Sequence, residues 1–161
     1  MKFRYNIATL LCGAVLIICS GCTADEPIFS LNVGDTLPHF EVIMNDGSTV
    51  SDKTLAGFPA EIIFFNTSCP DCRRHLPKLE EEWQESQAAG KKITYICISR
   101  AEKSPTITAF WAENGLTMPW SAQADNKVYS LFASSIIPRV YSVSPTGIIT
   151  RVRTGEYNDI E

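Results

Sequence analysis

The most informative stretch of this chain runs from Glu61 to Pro77 and reads EIIFFNTSCPDCRRHLP. Its first six residues are rich in β-branched and aromatic side chains, which is typical of a short strand buried on both faces. A helix is predicted from about Pro70 to Ala88, because apolar residues then recur at spacings of three and four, at Leu76, Leu79 and Trp83. The stretch therefore predicts a strand, a tight junction and a helix, with two cysteines at the junction.

Cys69 and Cys72 form a C-x-x-C motif at that junction, a pattern typical of redox-active proteins. Cys69 would lie at the helix N-terminus, where unpaired N–H groups and the helix dipole stabilise a thiolate. Cys72 would lie one turn further on, so we predict that Cys69 attacks a substrate disulfide and Cys72 resolves the mixed disulfide. Pro70 suits the first helical turn, because its missing N–H has no helical partner there.

Two other interpretations of the cysteine pair stay open: a structural disulfide and half of a zinc site. Structural zinc takes four ligands, and only His39, His75 and Cys97 are left to add to the pair. None of them completes a second short-spaced pair, so no metal site is predicted. Cys97 lies between two isoleucines in a predicted strand and is interpreted as a buried, inert thiol.

The segments on either side predict an α/β domain. Asn45-Asp46-Gly47 is a hairpin turn signal near the start of the domain. Ile93–Ser99 predicts a second buried strand, followed by a helix that runs from an N-cap at Ser104 to Asn114. A terminal hairpin is predicted from Pro138 to Val152. This order of elements indicates a mixed sheet with a parallel part.

Residues 64–77, together with Ile137-Pro138 and Ser144-Pro145-Thr146-Gly147, resemble the thioredoxin superfamily, in particular its membrane-tethered TlpA/ResA-like thiol-disulfide oxidoreductases. The resemblance extends from about Gly34 to Arg153. It implies a thioredoxin-like α/β fold, with a mixed central sheet flanked by helices and an added N-terminal β-hairpin. The family's C-terminal helix is expected to be missing or very short, since the sequence ends soon after the last predicted strand.

The resemblance also implies how the site works. It implies a redox-active disulfide between Cys69 and Cys72, and a cis-proline at Pro138 that faces the pair; an ordinary trans-proline at the start of an edge strand is the alternative. The backbone of Ile137 would pair with an extended substrate segment. The expected partners are disulfide-containing envelope proteins, cytochrome-maturation components among them, and a membrane electron donor, with no cofactor.

Some positions depart from the family pattern. Ser68 stands where the family usually has tryptophan before the first cysteine. Ile63 stands where thioredoxins have a buried aspartate, and His75 stands where tethered members often have glutamate. His75 shares a helix face with Cys72, so either it exchanges protons with that thiol or it is an ordinary exposed helix residue.

The N-terminal segment predicts export and anchoring. Lys2 and Arg4 precede an apolar run, Ile7–Ile18, which has the length of a signal-peptide core and is too short to span a bilayer. Ser20-Gly21-Cys22 then resembles the lipobox of bacterial lipoproteins, whose cysteine is lipidated; plain secretion and an uncleaved anchor are the alternatives. We therefore predict a bacterial envelope protein, facing the periplasm or the cell surface, with three parts: a signal peptide over 1–21, a lipidated tether over 22–33 and a thioredoxin-like domain over 34–161.

Composition and charge narrow the function further. The 161 residues carry 14 Lys and Arg against 18 Asp and Glu, a net charge of −4, without a basic cluster, so nucleic-acid binding is not predicted. We predict an envelope thiol-disulfide oxidoreductase, and Asp71 favours a reductase because its charge disfavours a neighbouring thiolate. A peroxidase of the peroxiredoxin type is an alternative, but its P-x-x-x-[ST]-x-x-C pattern fails at Ile62 and Asn66. A non-catalytic binding module is the other alternative.

Overall fold

The computed structural model describes residues 29–155 and the strand at 158–160. Within these residues the strands are Glu41–Ile43 (β1), Thr49–Ser51 (β2), Ala60–Phe65 (β3), Thr94–Ser99 (β4), Trp120–Ser121 (β5), Arg139–Val143 (β6), Ile149–Thr154 (β7) and Asn158–Ile160 (β8). The helices are Asp52–Leu55 (α1), Pro70–Ala88 (α2), Ser104–Asn114 (α3) and Lys127–Ser130 (α4). The predicted signal peptide and Cys22 lie outside the described residues. No helix among those described is both long enough and apolar enough to cross a membrane.

A six-stranded mixed sheet forms the centre of the domain, in the order β5-β4-β3-β6-β7-β8. The strands β3, β4 and β5 run parallel, and the helices α2 and α3 connect them. The strands β6, β7 and β8 continue the sheet in antiparallel pairs, and β1 and β2 form a separate N-terminal hairpin. The prediction of a thioredoxin-like α/β fold with an added hairpin is therefore confirmed.

The central strand β3 is buried on both faces, as its run of apolar residues predicted. Ile63 and Phe65 pack in the half of the core that contains α2 and α3. Ile62 and Phe64 pack in the other half, which is rich in aromatic rings: Phe40, Tyr129, Phe132 and Tyr141. Each fully buried large apolar side chain contributes about 1.5–3 kcal/mol of stability. The burial of β3 therefore fixes the position of the cysteine-bearing junction that follows it.

The structure differs from the prediction at the start of α3 and in the element that follows β7. The helix α3 has Lys103 at its N-cap and Ser104 inside its first turn, so the prediction of Ser104 as the cap is wrong. The proline after Ser104 is tolerated one position further in, because the second residue of a helix also needs no N–H partner. Beyond β7 the chain forms the strand β8, at the place where the resemblance implied a missing or very short helix.

Residues 29–33, predicted as the end of the tether, lie against the domain. The Leu31 N–H donates to the carbonyl of Phe132 (2.8 Å). The Ser30 hydroxyl accepts a hydrogen bond from the buried guanidinium of Arg139 (2.6 Å). These residues therefore contact the domain before its predicted start at residue 34, through partners about a hundred positions away that leave no signal in the local sequence.

Candidate active site

Cys69 occupies the N-cap of α2, at the end of the loop that leaves β3. Its N–H donates to the carbonyl of Asn66 (3.1 Å), and its own carbonyl accepts from the N–H of Arg73 (3.1 Å). Pro70 follows as the first helical residue, where no N–H is needed. Cys69 is partly exposed, so its sulfur lies at the positive end of a 19-residue helix and is open to solvent.

Cys72 lies inside the first turn of α2 and is fully buried. Burial raises the pKa of its thiol; a hydrogen bond with Cys69 and the charge of Asp71 also raise it, whereas a hydrogen bond with the backbone of Asn66 lowers it. Both cysteines are free thiols. One sulfur is therefore accessible, and the other is protonated and shielded behind it.

The loop before β6 closes the site from the opposite side. The peptide bond between Ile137 and Pro138 is cis, and the Cys69 thiol donates to the Ile137 carbonyl, with 3.6 Å between sulfur and oxygen. Ile136 has a left-handed φ of 68°, which is rare for a β-branched residue. The hydroxyl of Tyr129 donates to the Ile136 carbonyl (2.7 Å) and helps to hold this conformation. The main chain at Ile137 is thereby fixed opposite the open sulfur.

A buried carboxylate holds the loop that carries Cys69. Glu102 follows β4 and accepts hydrogen bonds from the N–H of Thr67 (2.9 Å) and from the Thr67 hydroxyl. Asn66 stabilises the same loop, because its side-chain oxygen accepts from the Ser68 N–H (2.8 Å). Glu102 was not among the predicted site residues. Its position after β4 could have indicated this role. The cysteine loop follows β3, and the carboxyl ends of neighbouring parallel strands meet at one edge of a sheet.

His75 is buried on α2, so its interpretation as an exposed helix residue is wrong. Its Nδ1 lies 2.6 Å from the carbonyl oxygen of Asp71 and must be the donor, because a carbonyl only accepts. The ring lines a narrow cleft with Pro138 and Arg153. Val140 of β6 and Thr154 of β7 line the same cleft, which explains the burial of His75. Proton exchange between the two side chains stays a prediction.

Asp71 does not act on the cysteines as an unpaired charge. Its carboxylate forms a salt bridge with Arg74, three residues along α2, and both side chains are about half exposed. Arg73 lies over the ring of Phe110, 5.3 Å from the ring centroid. The repulsion expected between Asp71 and a Cys69 thiolate is therefore weakened by the paired guanidinium and by solvent.

Cys97 lies in the core, away from the site. It is fully buried in β4, its sulfur lies 3.9 Å from that of Met118, and burial raises its pKa. Its predicted burial is confirmed. Across residues 29–155 and 158–160, no group of three or more His, Cys, Asp or Glu side chains is placed to hold a metal ion.

The fold and the cysteine pair define the chain as an oxidoreductase with a thioredoxin-like fold, which confirms the predicted class of enzyme. The chain belongs to the AhpC/TSA family, whose model matches residues 33–152. It is similar to the thiol-disulfide oxidoreductase ResA of Oceanobacillus iheyensis, with 27% identity over 158 residues, 95% of this chain and 80% of the relative.

Two further comparisons agree with this assignment. The thiol-disulfide oxidoreductase ResA of Bacillus subtilis is 23% identical over 145 residues, which cover 88% of this chain and 80% of the relative. The solution structure of a candidate protein disulfide isomerase from Bacteroides thetaiotaomicron matches with a TM-score of 0.73 at 24% identity. That match covers 81% of this chain and 82% of the other, and it supports the fold.

Proposed function

We propose that the protein is a thiol-disulfide oxidoreductase of the bacterial cell envelope that reduces disulfides in other proteins. The observation that carries the proposal is the arrangement of two thiols on α2. Cys69 is partly exposed at the helix N-terminus, and Cys72 is buried one turn inside. The similarity to proteins named thiol-disulfide oxidoreductase ResA supports the same chemistry. The two thiols themselves carry the electrons, so the reaction needs no cofactor.

The proposed reaction proceeds in two exchange steps. The Cys69 thiolate attacks one sulfur of the substrate disulfide, forms a mixed disulfide and releases a substrate thiolate, which takes up a proton. Cys72 then loses its proton and attacks the Cys69 sulfur, which closes the Cys69–Cys72 disulfide and releases the second substrate thiol. Two electrons and two protons pass from the protein to the substrate. A dithiol donor in the membrane reverses these steps and restores both thiols.

The neighbouring groups have proposed roles in these steps. The main chain at Ile137 is the edge along which an extended substrate segment docks, because its carbonyl lies 3.6 Å from the Cys69 sulfur. Pro138 keeps the Ile137 N–H and carbonyl at the open side of the site. His75 is the proposed proton partner of Cys72, since both side chains are buried on the same helix face.

The alternatives fit these contacts less well. A peroxiredoxin-type site requires threonine or serine at position 66 (the fifth position of its pattern). Asn66 stands there instead and stabilises the loop. Its side-chain N–H donates to the Arg100 carbonyl (2.9 Å), and its side-chain oxygen accepts from the Ser68 N–H. A non-catalytic binding module does not require one exposed and one buried thiol. Turnover of a disulfide substrate distinguishes the oxidoreductase from the binding module, and the rate of oxidation by hydrogen peroxide distinguishes it from the peroxidase.

The contacts of Cys69 favour a reductase. Strong oxidants of this kind have a heavily stabilised reduced form. Here the Cys69 thiol donates to a carbonyl oxygen, a contact that gives no support to a thiolate. The guanidinium of Arg74 is engaged by Asp71. The helix N-terminus stabilises the thiolate, and neither Arg74 nor the Ile137 carbonyl adds to this stabilisation.

Mixing the reduced protein with a peptide disulfide tests this function. We expect one Cys69–Cys72 disulfide to form for each peptide disulfide reduced, because the exchange is stoichiometric. Mass spectrometry of both components measures the outcome. The reverse mixture, oxidised protein with the peptide dithiol, should react to a much smaller extent. Faster oxidation by hydrogen peroxide than by the peptide would favour the peroxidase, and the absence of any exchange would favour a binding module.

We also propose that residues 1–21 are a signal peptide and that a lipid on Cys22 anchors the protein to an envelope membrane. The support is the apolar run Ile7–Ile18 followed by Ser20-Gly21-Cys22. The proposed partners are disulfide-containing envelope proteins, such as cytochrome-maturation components, and a membrane electron donor.

Replacing Cys22 by alanine is expected to release the protein from the membrane fraction or to leave the precursor unprocessed. Lipid is attached at the cysteine sulfur, so alanine removes the attachment point. Cell fractionation and mass measurement of the mature N-terminus report the result. A mature form that begins at any residue other than Cys22 would contradict the assignment.

A further inference from the structure

A groove lies beside Cys69, on the side of the loop that joins β4 to α3. Ser68 and Cys69 form one wall, Ile137 forms the second, and Arg100 and Asn126 form the third. The groove therefore connects the open sulfur and the proposed docking edge with one positively charged side chain.

The guanidinium of Arg100 is held in place, but its N–H groups are not used. It lies over the ring of Tyr129, 4.7 Å from the centroid, and Tyr129 is itself buried and bonded to the loop before β6. Among the residues that the structure describes, no carboxylate pairs with Arg100 and no hydrogen bond uses its guanidinium. The contact with the ring keeps the guanidinium beside the groove and leaves its N–H groups available to a partner.

The acidic side chains closest in the sequence to the walls of this groove already have partners. Asp71 pairs with Arg74, and Asp125 pairs with Lys127 (2.7 Å). The carboxylate of Glu102 is turned inward to the loop that carries Cys69. Within the described part of the chain no carboxylate pairs with the cation in the groove, so it is available to a group from another molecule.

We propose that Arg100 is a specificity-determining residue, which binds the carboxylate of an Asp or Glu that flanks the reactive cysteine of the substrate protein. This inference rests on the proposed function, because the carboxylate arrives on the segment that docks along Ile137. The edge of a guanidinium forms two parallel N–H···O bonds with a carboxylate. The occupant is a protein segment, since the groove also contains the sulfur and the main-chain edge that such a segment requires.

Two peptide disulfides that differ only in one residue beside the cysteine, Glu or Gln, test the inference. With the reduced wild-type protein at low salt, mixed-disulfide formation is expected to be about fivefold faster with the Glu peptide. This advantage should shrink as salt is raised. Arg100→Gln is expected to bring the ratio of the two rate constants to about one. Arg100→Lys keeps the charge but loses the planar fork, so its ratio should be intermediate.

Lys91→Gln is the matched control, because it removes one exposed positive charge before β4, at the opposite edge of the sheet, and should keep the wild-type ratio. The ratio cancels any general loss of activity in the Arg100 variants. Equal rates with the wild-type protein, or a ratio that survives Arg100→Gln, would overturn the inference and leave the proposed function standing. No exchange with either peptide would overturn the proposed function and the inference with it.

Discussion

Replacing Cys69 by serine is expected to abolish disulfide exchange, with a loss of rate of about a thousandfold or more, because a neutral hydroxyl does not replace a thiolate nucleophile. Cys69 carries the partly exposed sulfur of the site. The rate of reduction of a peptide disulfide, followed under excess dithiol, measures the loss.

The other two described cysteines serve as controls for this experiment. Cys72→Ser should stop turnover after the first step, so that a mixed disulfide on Cys69 persists and its substrate half can be identified by mass spectrometry. Cys97→Ala removes a thiol from the core, away from the site, and should keep turnover within a few-fold of the wild-type rate. Residual turnover in Cys69→Ser, or a persistent adduct on Cys72 instead of Cys69, would show that the two cysteines have other roles.

Replacing Glu102 by alanine is expected to lower the free energy of unfolding by about 3 kcal/mol, because two hydrogen bonds to a buried carboxylate are lost together. The N–H and hydroxyl of Thr67 would be left without their acceptor in a buried place. Because the same loop carries Cys69, faster hydrogen exchange of the loop amides and faster alkylation of Cys69 should accompany the loss of stability. Urea unfolding and hydrogen exchange of the Thr67 amide measure the two effects.

Glu113→Ala is the matched control for Glu102→Ala. Glu113 is exposed on α3, so its loss should change the free energy of unfolding by less than about 0.5 kcal/mol. Glu102→Gln keeps one acceptor of nearly the same shape and should lose roughly half as much as the alanine variant. A Glu102→Ala variant as stable as Glu113→Ala would show that the loop does not depend on this carboxylate.

The strand–cysteine–helix unit could be predicted from the sequence because its signals are local. The apolar run at 61–66 and the spacing of Leu76 and Leu79 specify β3 and α2, and the observed helix, Pro70–Ala88, has the predicted ends. The hairpin at Asn45-Asp46-Gly47 was equally clear, since few residues other than glycine tolerate the left-handed φ of 84° at Gly47.

The rest of the candidate site depends on contacts between distant segments. Glu102 binds a residue 35 positions away, so its position after a parallel strand places it near the site but does not show which residue it binds. The burial of His75 follows from how β6 and β7 lie over α2, which the helix periodicity does not specify. The proposed role of Arg100 depends on Tyr129 and Ile137, which the fold places beside it.

The contact between Ser30 and Arg139 determines where the proposed anchor leaves the domain. Arg139 follows Pro138 and pairs with Phe64, near the end of β3 that leads to Cys69. Seven residue steps separate Cys22 from Phe29, which is at most about 25 Å of extended chain. A lipid on Cys22 would confine Cys69 to a thin layer next to the bilayer, so a donor in the same membrane would meet it at a high effective concentration.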